Sequence, residues 1–378
     1  MAYLNNSKSI SLYIHIPWCR KRCYYCDLHT YKLQNSFLHK IYIKNLLKDL
    51  EQDILLFNLK KSRIRTVFIG GGTPSLVSEK LIKFLMHEIS KRIEIQKNAE
   101  ITIEIHPKDV NYKKIYSYLS SGINRISFGM QSTYKNQLNL IDRSYNFHMI
   151  NNFLKIIKDC GFKNINLDIM YALPNQNLNL AIEDLKNSIS LQTNHISWYR
   201  FTVSENTMKK KNISEDTAIE ISNVGEKFLE ENGYKKYEIS SYAKNTQNQC
   251  LHNLNYWNFG DYIGIGCGAH GKITKNKKIY RTEKNKVLNK YMKNNFIKKI
   301  ITLQEKDIII EFFMNKFRIN SLIQKQEFFD KTGINPKKLK PCITKSIKKK
   351  YLIEKNKFWK VTKMGKNFLD NLLELFLV

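Results

Sequence analysis

Hydrophobic and polar positions change period along the chain, and the changes mark out two kinds of element in alternation. Short, nearly continuous apolar runs rich in β-branched and aromatic residues fall at 12–16, 66–69, 101–105, 125–128, 165–170 and 195–203. Between them, apolar residues recur every three or four positions. Residues 36–59 carry Leu38, Ile41, Leu46, Leu50, Ile54 and Leu55 on that spacing, and 78–95 carry Leu81, Ile82, Leu85 and Ile89. The runs predict buried strands, and the spaced pattern predicts helices that bury one face. Ser78 and Asp109 stand where N-caps belong, and Gly122 stands where the helix over 109–121 must stop. Further helices are predicted over 149–159 and 178–191. Six βα repeats with unbroken apolar strands predict a parallel sheet covered by helices. The α/β architecture that fits is an incomplete (β/α)6 barrel, whose chemistry belongs at the C-terminal strand ends.

From about residue 204 the pattern changes. A helix over 214–232 ends at Gly233, and segment 237–242, HNLNYW at 252–257 and a glycine-rich stretch at 260–271 follow. Residues 272–299 hold 11 Lys+Arg and one acid and read as a solvated loop and helix face. Helices over 304–317, 324–331 and 336–349, a hairpin at 351–353 and 358–361, and an amphipathic helix over 364–377 close the chain. These predict a C-terminal α+β, winged-helix-like unit. The division is therefore 1–205 for the barrel, 206–300 for a connecting region and 301–378 for the C-terminal unit.

Composition adds exclusions. The 378 residues carry 63 Lys+Arg against 33 Asp+Glu, a net charge of +30, with 42% hydrophobic and 12% aromatic residues. That content supports a packed core and argues against disorder. No run of apolar residues is long enough for a membrane span, and residues 1–20 lack the pattern of a secretory signal. The expected place is the cytoplasm, with a peripheral position at the inner membrane left open. The charge points less to nucleic acid than to composition. Only 10 of the 63 cations are Arg, whereas Asn numbers 40 and Ala 7. Phosphate and base recognition favours the planar fork of Arg, so no specific nucleic acid is expected.

Against this bias, two placements stand out. Three of seven cysteines, Cys19, Cys23 and Cys26, lie within eight residues. Three soft ligands on one loop suit an iron–sulfur cluster, or zinc with His15 or His29 as a fourth ligand, with incidental thiols as the alternative. Eight of fifteen glycines fall at 70–72 and between 260 and 271. The triplet follows the second strand, where backbone must approach a ligand or take a positive φ.

Cys-x3-Cys-x2-Cys after the first strand and GGGTPS after the second are similar to radical S-adenosylmethionine (SAM) proteins. HIPWC-RKRC-YYC, GGGTPS, E-x-HP, GINRISFGMQS, DIMYALPNQ and YEISSYA together resemble the HemN/HemW family. The resemblance runs from about residue 12 to the C-terminus. It implies a [4Fe–4S] cluster on Cys19, Cys23 and Cys26, with one iron open to SAM. It further implies SAM contacts at Tyr13, Tyr25, Gly71, Gly72, Thr73 and Glu104. Gln131, Arg143 and Asp168 match positions that contact a second SAM in the family's dehydrogenases. From the residues alone, Glu104 or Asp168 paired with Arg143 is equally a structural ion pair at a barrel rim.

Two departures choose a branch. The dehydrogenases have a fourth cysteine where this chain has Leu28, and a longer N-terminal arm. HNLNYW matches the HN-x-x-YW motif of the heme-chaperone branch. The resemblance therefore implies a protein that binds heme as cargo and hands it to apo-hemoproteins such as respiratory enzymes, some of them membrane-associated. The alternatives are oxidative decarboxylation of coproporphyrinogen III and a basic nucleic-acid binder. Whether SAM is cleaved, and so whether the chain is an enzyme, stays open. His252 is the candidate heme ligand, because imidazole is the commonest one. Tyr256 and Trp257 are candidate stacking surfaces, and His270 and Cys250 are weaker ligand candidates. A structural corner is the alternative for His252–Trp257.

Overall fold

A computed structural model describes residues 9–33, 35–203 and 213–377. The boundary drawn at 205/206 lies outside the described residues. Six strands, β1 (Ser9–Ile16), β2 (Arg63–Gly71), β3 (Glu94–Ile105), β4 (Arg125–Gln131), β5 (Asn164–Tyr171) and β6 (His195–Arg200), run parallel in sequential order. Helices α1 (Phe37–Phe57), α2 (Glu79–Arg92), α3 (Tyr112–Ser120), α4 (Lys135–Leu140), α5 (Phe147–Asp159) and α6 (Leu178–Ser190) lie between them. The (β/α)6 expectation holds. Alternate strand residues such as Ile10, Leu12, Ile14 and Ile16 join Leu46, Leu50, Ile82 and Leu85 in one apolar core. The intervening residues form the polar lining described below.

Differences from expectation have local causes. α3 begins later than predicted: Asn111 caps it through a bond from the Lys114 N–H, while Asp109 is buried and accepts from Ser75. β3 starts seven residues before the apolar run, because Arg63 and Ile64 of β2 pair with Glu94 and Ile95. The final helix is broken into α13 (Lys363–Asn367) and α14 (Leu369–Glu374), with Phe368 leaving helical geometry at φ −118 and ψ 48.

The largest departure concerns residues 260–302. They are mostly strands: β9 (Tyr262–Ile265), β10 (His270–Lys275), β11 (Lys278–Lys284) and β12 (Ile297–Thr302), with the short helix α9 (Leu288–Met292) between the last two. β9 lies parallel to β1, so the sheet continues past its first strand. Short strands β7 (Lys235–Lys236) and β8 (Ser241–Ala243) extend it past β6 after helix α7 (Glu215–Glu231), giving twelve strands. Two lysines in the predicted solvated stretch are buried, and they are fixed by acids. Lys284, fully buried, meets Asp49 at 2.5 Å and Asp53 at 2.7 Å on α1. Lys272 meets Asp261 at 2.9 Å.

The C-terminal segment has its own apolar core around Phe312, Phe313, Phe328 and Trp359. Helices α10 (Glu305–Lys316), α11 (Lys325–Thr332) and α12 (Lys340–Lys348) surround a three-stranded antiparallel sheet of β13 (Ile323–Gln324), β15 (Phe358–Val361) and β14 (Leu352–Lys355). Phe259, from the preceding segment, packs into this core against Phe312.

Removing Lys284 leaves two buried carboxylates without their cation. Lys284→Met is expected to lower the unfolding free energy by about 3–5 kcal/mol, measured by urea denaturation. A loss under about 1 kcal/mol would mean that the triad contributes no more than a surface pair.

Candidate functional site

The C-terminal ends of the barrel strands open on a cavity of about 430 Å³. Its wall on one side is the loop after β1, which carries Cys19, Cys23 and Cys26, all free and half-buried. The loop folds on itself through a bond from the Cys26 N–H to the Cys23 carbonyl (3.1 Å). Thr73 donates its hydroxyl to the Cys19 sulfur at 3.6 Å. Among the described residues no group of three or more His, Cys, Asp or Glu converges to hold a single metal ion.

The glycine triplet is shaped by this loop. Gly71 has φ +112, and a Cβ there would sit 2.7 Å from the His15 ring. At Gly72 a Cβ would lie 2.6 Å from the Trp18 carbonyl oxygen and 3.0 Å from the Cys19 sulfur. Backbone bonds from Gly72 to Ile16 and from Thr73 to Trp18 hold the two loops together at 2.7 and 2.8 Å. Any side chain here would push the thiol loop off the strand ends.

The floor of the cavity is acidic. Glu104 accepts the Gly71 N–H at 3.1 Å, and burial followed by the charge of Asp168 pushes its carboxyl up to about 8. Asp168 accepts from Ser127 (3.0 Å) and Asn166 (2.8 Å), and burial raises it as well. Arg143 does not pair with either carboxylate. Its guanidinium donates to the Tyr25 hydroxyl at 3.2 and 3.0 Å. Gln131, at φ 68, accepts from Tyr199 at 2.8 Å. The ion-pair alternative for these residues is thus not what the fold forms.

Tyr13 lies beneath the cavity, not on its wall. Its hydroxyl meets His15 Nδ1 at 3.0 Å, while His15 Nε2 meets the His29 carbonyl at 2.8 Å. A carbonyl only accepts, so the His15 proton is on Nε2 and Tyr13 is the donor to Nδ1. His29 turns away to the Lys286 carbonyl at 2.6 Å. Neither histidine is placed as a fourth zinc ligand.

The free thiols, the glycine cradle and the unpaired guanidinium fit a cluster with an amino-acid-bearing ligand. Comparisons with known proteins agree. The radical SAM superfamily model matches residues 13–186. A relative named heme chaperone HemW in Buchnera aphidicola (subspecies Schizaphis graminum) is 49% identical over 97% of this chain and 98% of its own. The chain belongs to the HemW family of radical SAM proteins. The HemW relative in Escherichia coli is 39% identical over 97% of this chain and 98% of its own. The solved coproporphyrinogen III oxidase HemN of Escherichia coli has the same fold, with TM-score 0.85 and 20% identity over 99% of this chain and 91% of that one. Membership in the superfamily implies a [4Fe–4S] cluster and SAM.

The HemW motif HNLNYW does not reach the cavity. It forms helix α8 (Leu251–Trp257), which closes the opposite end of the barrel. His252 is buried, with Nδ1 on Thr66 Oγ1 and Nε2 on the Tyr256 hydroxyl, both at 2.8 Å. Both ring nitrogens are engaged, so in this conformation the expected heme ligand has no lone pair for iron, and the structural alternative is the one the fold forms. Cys250 is buried beside Glu100, and His270 is on β10, also outside the cavity. Sequence reasoning gave no role to His106, Lys108, Ser127 or Tyr199, which also line it. The signal for Ser127 and Tyr199 was the period-two polar lining of β4 and β6.

An unfolded Glu titrates near ~4.3. Between that value and about 8, folded Glu104 keeps a proton that the unfolded chain has released, so stability falls as pH rises through the window. Glu104→Gln is expected to flatten this fall in the cluster-free protein, read as Tm between about pH 5 and about pH 8. Equal slopes in both proteins would show that Glu104 is ionised in the fold.

Proposed function

We propose that this chain is a heme chaperone: it carries a [4Fe–4S] cluster on Cys19, Cys23 and Cys26, binds SAM beside it, and passes heme to apo-hemoproteins. The observation that carries this reading is full-length similarity, 49% over 97% of the chain, to a relative named heme chaperone HemW. The cavity supports it over coproporphyrinogen decarboxylation. Leu28, which lines the cavity and is 48% exposed, stands where the dehydrogenase branch has its fourth cysteine. The likeness to HemN concerns the fold.

When bound, the reduced cluster supplies an electron and SAM a cleavable sulfonium. The chain supplies position. Gly71 and Gly72 admit the methionyl part to the backbone, and Thr73 orients the Cys19 sulfur. Glu104 would accept from the ammonium or ribose, with Tyr25 on the thiol loop and Tyr13 braced against His15 in support. Gln131, Arg143 and Asp168 form the far side, where a second SAM or part of the cargo is received.

The three-part division, 1–205, 206–300 and 301–378, belongs to the same proposal, with the last part a winged-helix-like scaffold. We place the work in the cytoplasm, peripheral to the inner membrane where clients are membrane-bound. Among the described residues no helix is long and apolar enough to cross a membrane.

The test is anaerobic reconstitution followed by hemin addition. Wild type is expected to take up iron and sulfide, shift the Soret band of hemin, and reconstitute an apo-form of a b-type hemoprotein. Changing Cys19, Cys23 and Cys26 to Ala abolishes cluster uptake. His252→Ala lowers Tm, because Thr66 and Tyr256 lose their partner, and leaves the Soret shift intact. Absence of any shift in wild type, or decarboxylation of coproporphyrinogen III under reduction, would overturn the reading.

A further inference from the structure

The cavity has an uneven charge. Its floor holds Glu104 and Asp168, whereas Arg20, Lys21, Arg22, Lys108 and Arg143 are on its walls and mouth. Two of these cations are neutralised by the fold. Arg20 pairs with the buried Asp109, and Lys21 with Asp142 at 3.3 Å. Arg22 is exposed and donates to the Cys26 carbonyl at 3.1 Å on its own loop. Lys108, exposed, and Arg143, half-buried, also lack an acid. Lys108 donates to the Ser144 hydroxyl at 2.7 Å, and Arg143 only to the Tyr25 hydroxyl. Neither has a carboxylate within ion-pair distance among the described residues. A recessed guanidinium with five donors and one neutral acceptor is poorly satisfied.

His106 completes the corner. Its Nδ1 accepts the Lys108 N–H at 3.2 Å, so the proton of the neutral ring is on Nε2, which has no hydrogen-bond partner among the described residues. The ring is kept neutral by burial and then by the charge of Arg143, which outweigh the opposing pull of Asp109 and, with Arg20 and Lys108, push its pKa down to about 4. It is therefore a donor facing the cavity and not a metal ligand. Guanidinium, ammonium and imidazole N–H thus line one side of the cavity, where the nearby acids Asp109 and Asp142 are already paired with Arg20 and Lys21.

We propose that His106, Lys108 and Arg143 form a carboxylate-receiving site for a propionate of the porphyrin cargo. This rests on the heme-chaperone reading. Two sources of carboxylate share this chemistry, the porphyrin and the amino-acid end of a SAM molecule. Leu28 favours the porphyrin: its exposed side chain lines the same cavity and gives a macrocycle an apolar face next to the cationic corner. The cargo then lies across the mouth, with its carboxylate held at the wall and its ring against the thiol loop.

The experiment uses cluster-reconstituted, SAM-loaded protein and compares hemin with hemin dimethyl ester, whose propionates are blocked. Wild type is expected to bind hemin about tenfold more tightly than the ester, the scale of one charged hydrogen bond. Lys108→Gln and Arg143→Gln each reduce that preference toward unity; Lys108→Gln leaves ester affinity unchanged, so the ester reports that this variant is folded. Lys108→Arg restores the preference. Equal binding of hemin and ester by wild type, or an undiminished preference in both Gln variants, overturns the site. Weakened SAM binding with hemin preference intact assigns the corner to the amino acid and overturns it too. Failure of wild type to bind either porphyrin removes the heme-chaperone reading itself.

Discussion

The inner face of the barrel is polar, and a polar interior must be closed by something that satisfies it. An unpartnered buried donor or acceptor costs about 1–3 kcal/mol. Helix α8 meets that demand at one end. Glu100 on β3 accepts the N–H groups of Leu251 and His252, both at 3.0 Å, so a carboxylate inside the barrel caps the helix that closes it. The Cys250 N–H bonds the Tyr237 hydroxyl at 3.0 Å, and Tyr237 in turn donates to His195 Nε2 at 2.8 Å, because the other nitrogen of the neutral ring must give its proton to the Asn166 amide oxygen. His195 Nδ1–H then donates to Asn166 at 2.6 Å, and Asn166 donates to Asp168 at 2.8 Å. Each bond fixes the direction of the next. The orientation of a cavity carboxylate is thereby set by a helix at the far end of the barrel.

The second half of the chain also holds the open end. The glycine-rich stretch wraps the end of β1: the Gly266 N–H reaches Asp49, and the Cys267 N–H reaches the Tyr42 hydroxyl. A Cβ at Gly266 would lie 2.5 Å from the His15 carbonyl oxygen, at a φ of +111, so a close approach and a positive φ both require glycine. One carbonyl, that of Lys286, receives His29, Tyr31 and Cys267. The thiol loop is thus anchored behind Cys26 by residues more than 200 positions away in sequence. Cofactor loop, glycine cradle and C-terminal strands form one mechanical unit.

These features explain what the sequence made legible. Six strands, their helices and the thiol loop were readable because each is local: an apolar run, a 3.6 period, three cysteines in eight residues. The convergence of Glu104, Gln131, Arg143 and Asp168 was readable only through resemblance, since no spacing announces which barrel strand ends share a cavity. The strands within 260–302 were missed because charge masked their period. Lys272 and Lys284 are interior residues, and their partners Asp261 and Asp49 lie 11 and 235 positions away. The surroundings of His252 were hidden for a related reason. A histidine followed by two aromatics looks like a ligand site, but its partners Thr66 and Glu100 are on distant strands.

The same contrast separates meaningful charge from composition. A Lys-rich chain will carry many cations that do nothing, and a count of +30 does not sort them. Partnership does. Lys272, Lys284 and Lys316 are buried and each meets an acid, at 2.9, 2.5 and 2.8 Å, so their charge is absorbed by the fold. Lysines on α12 are exposed to solvent, and Lys298 on β12 pairs with Glu283 at 3.0 Å. A cation recessed in a cavity wall with neither solution is a different case. Arg143 is one of only ten arginines, and it lines the open cavity with the Tyr25 hydroxyl as its one hydrogen-bond partner among the described residues. With α8 committed to the barrel floor, the open end is where the chain has apolar surface, unfilled donors and room together. The physical argument for where cargo is received therefore runs through the unsatisfied groups and not through the most conspicuous motif.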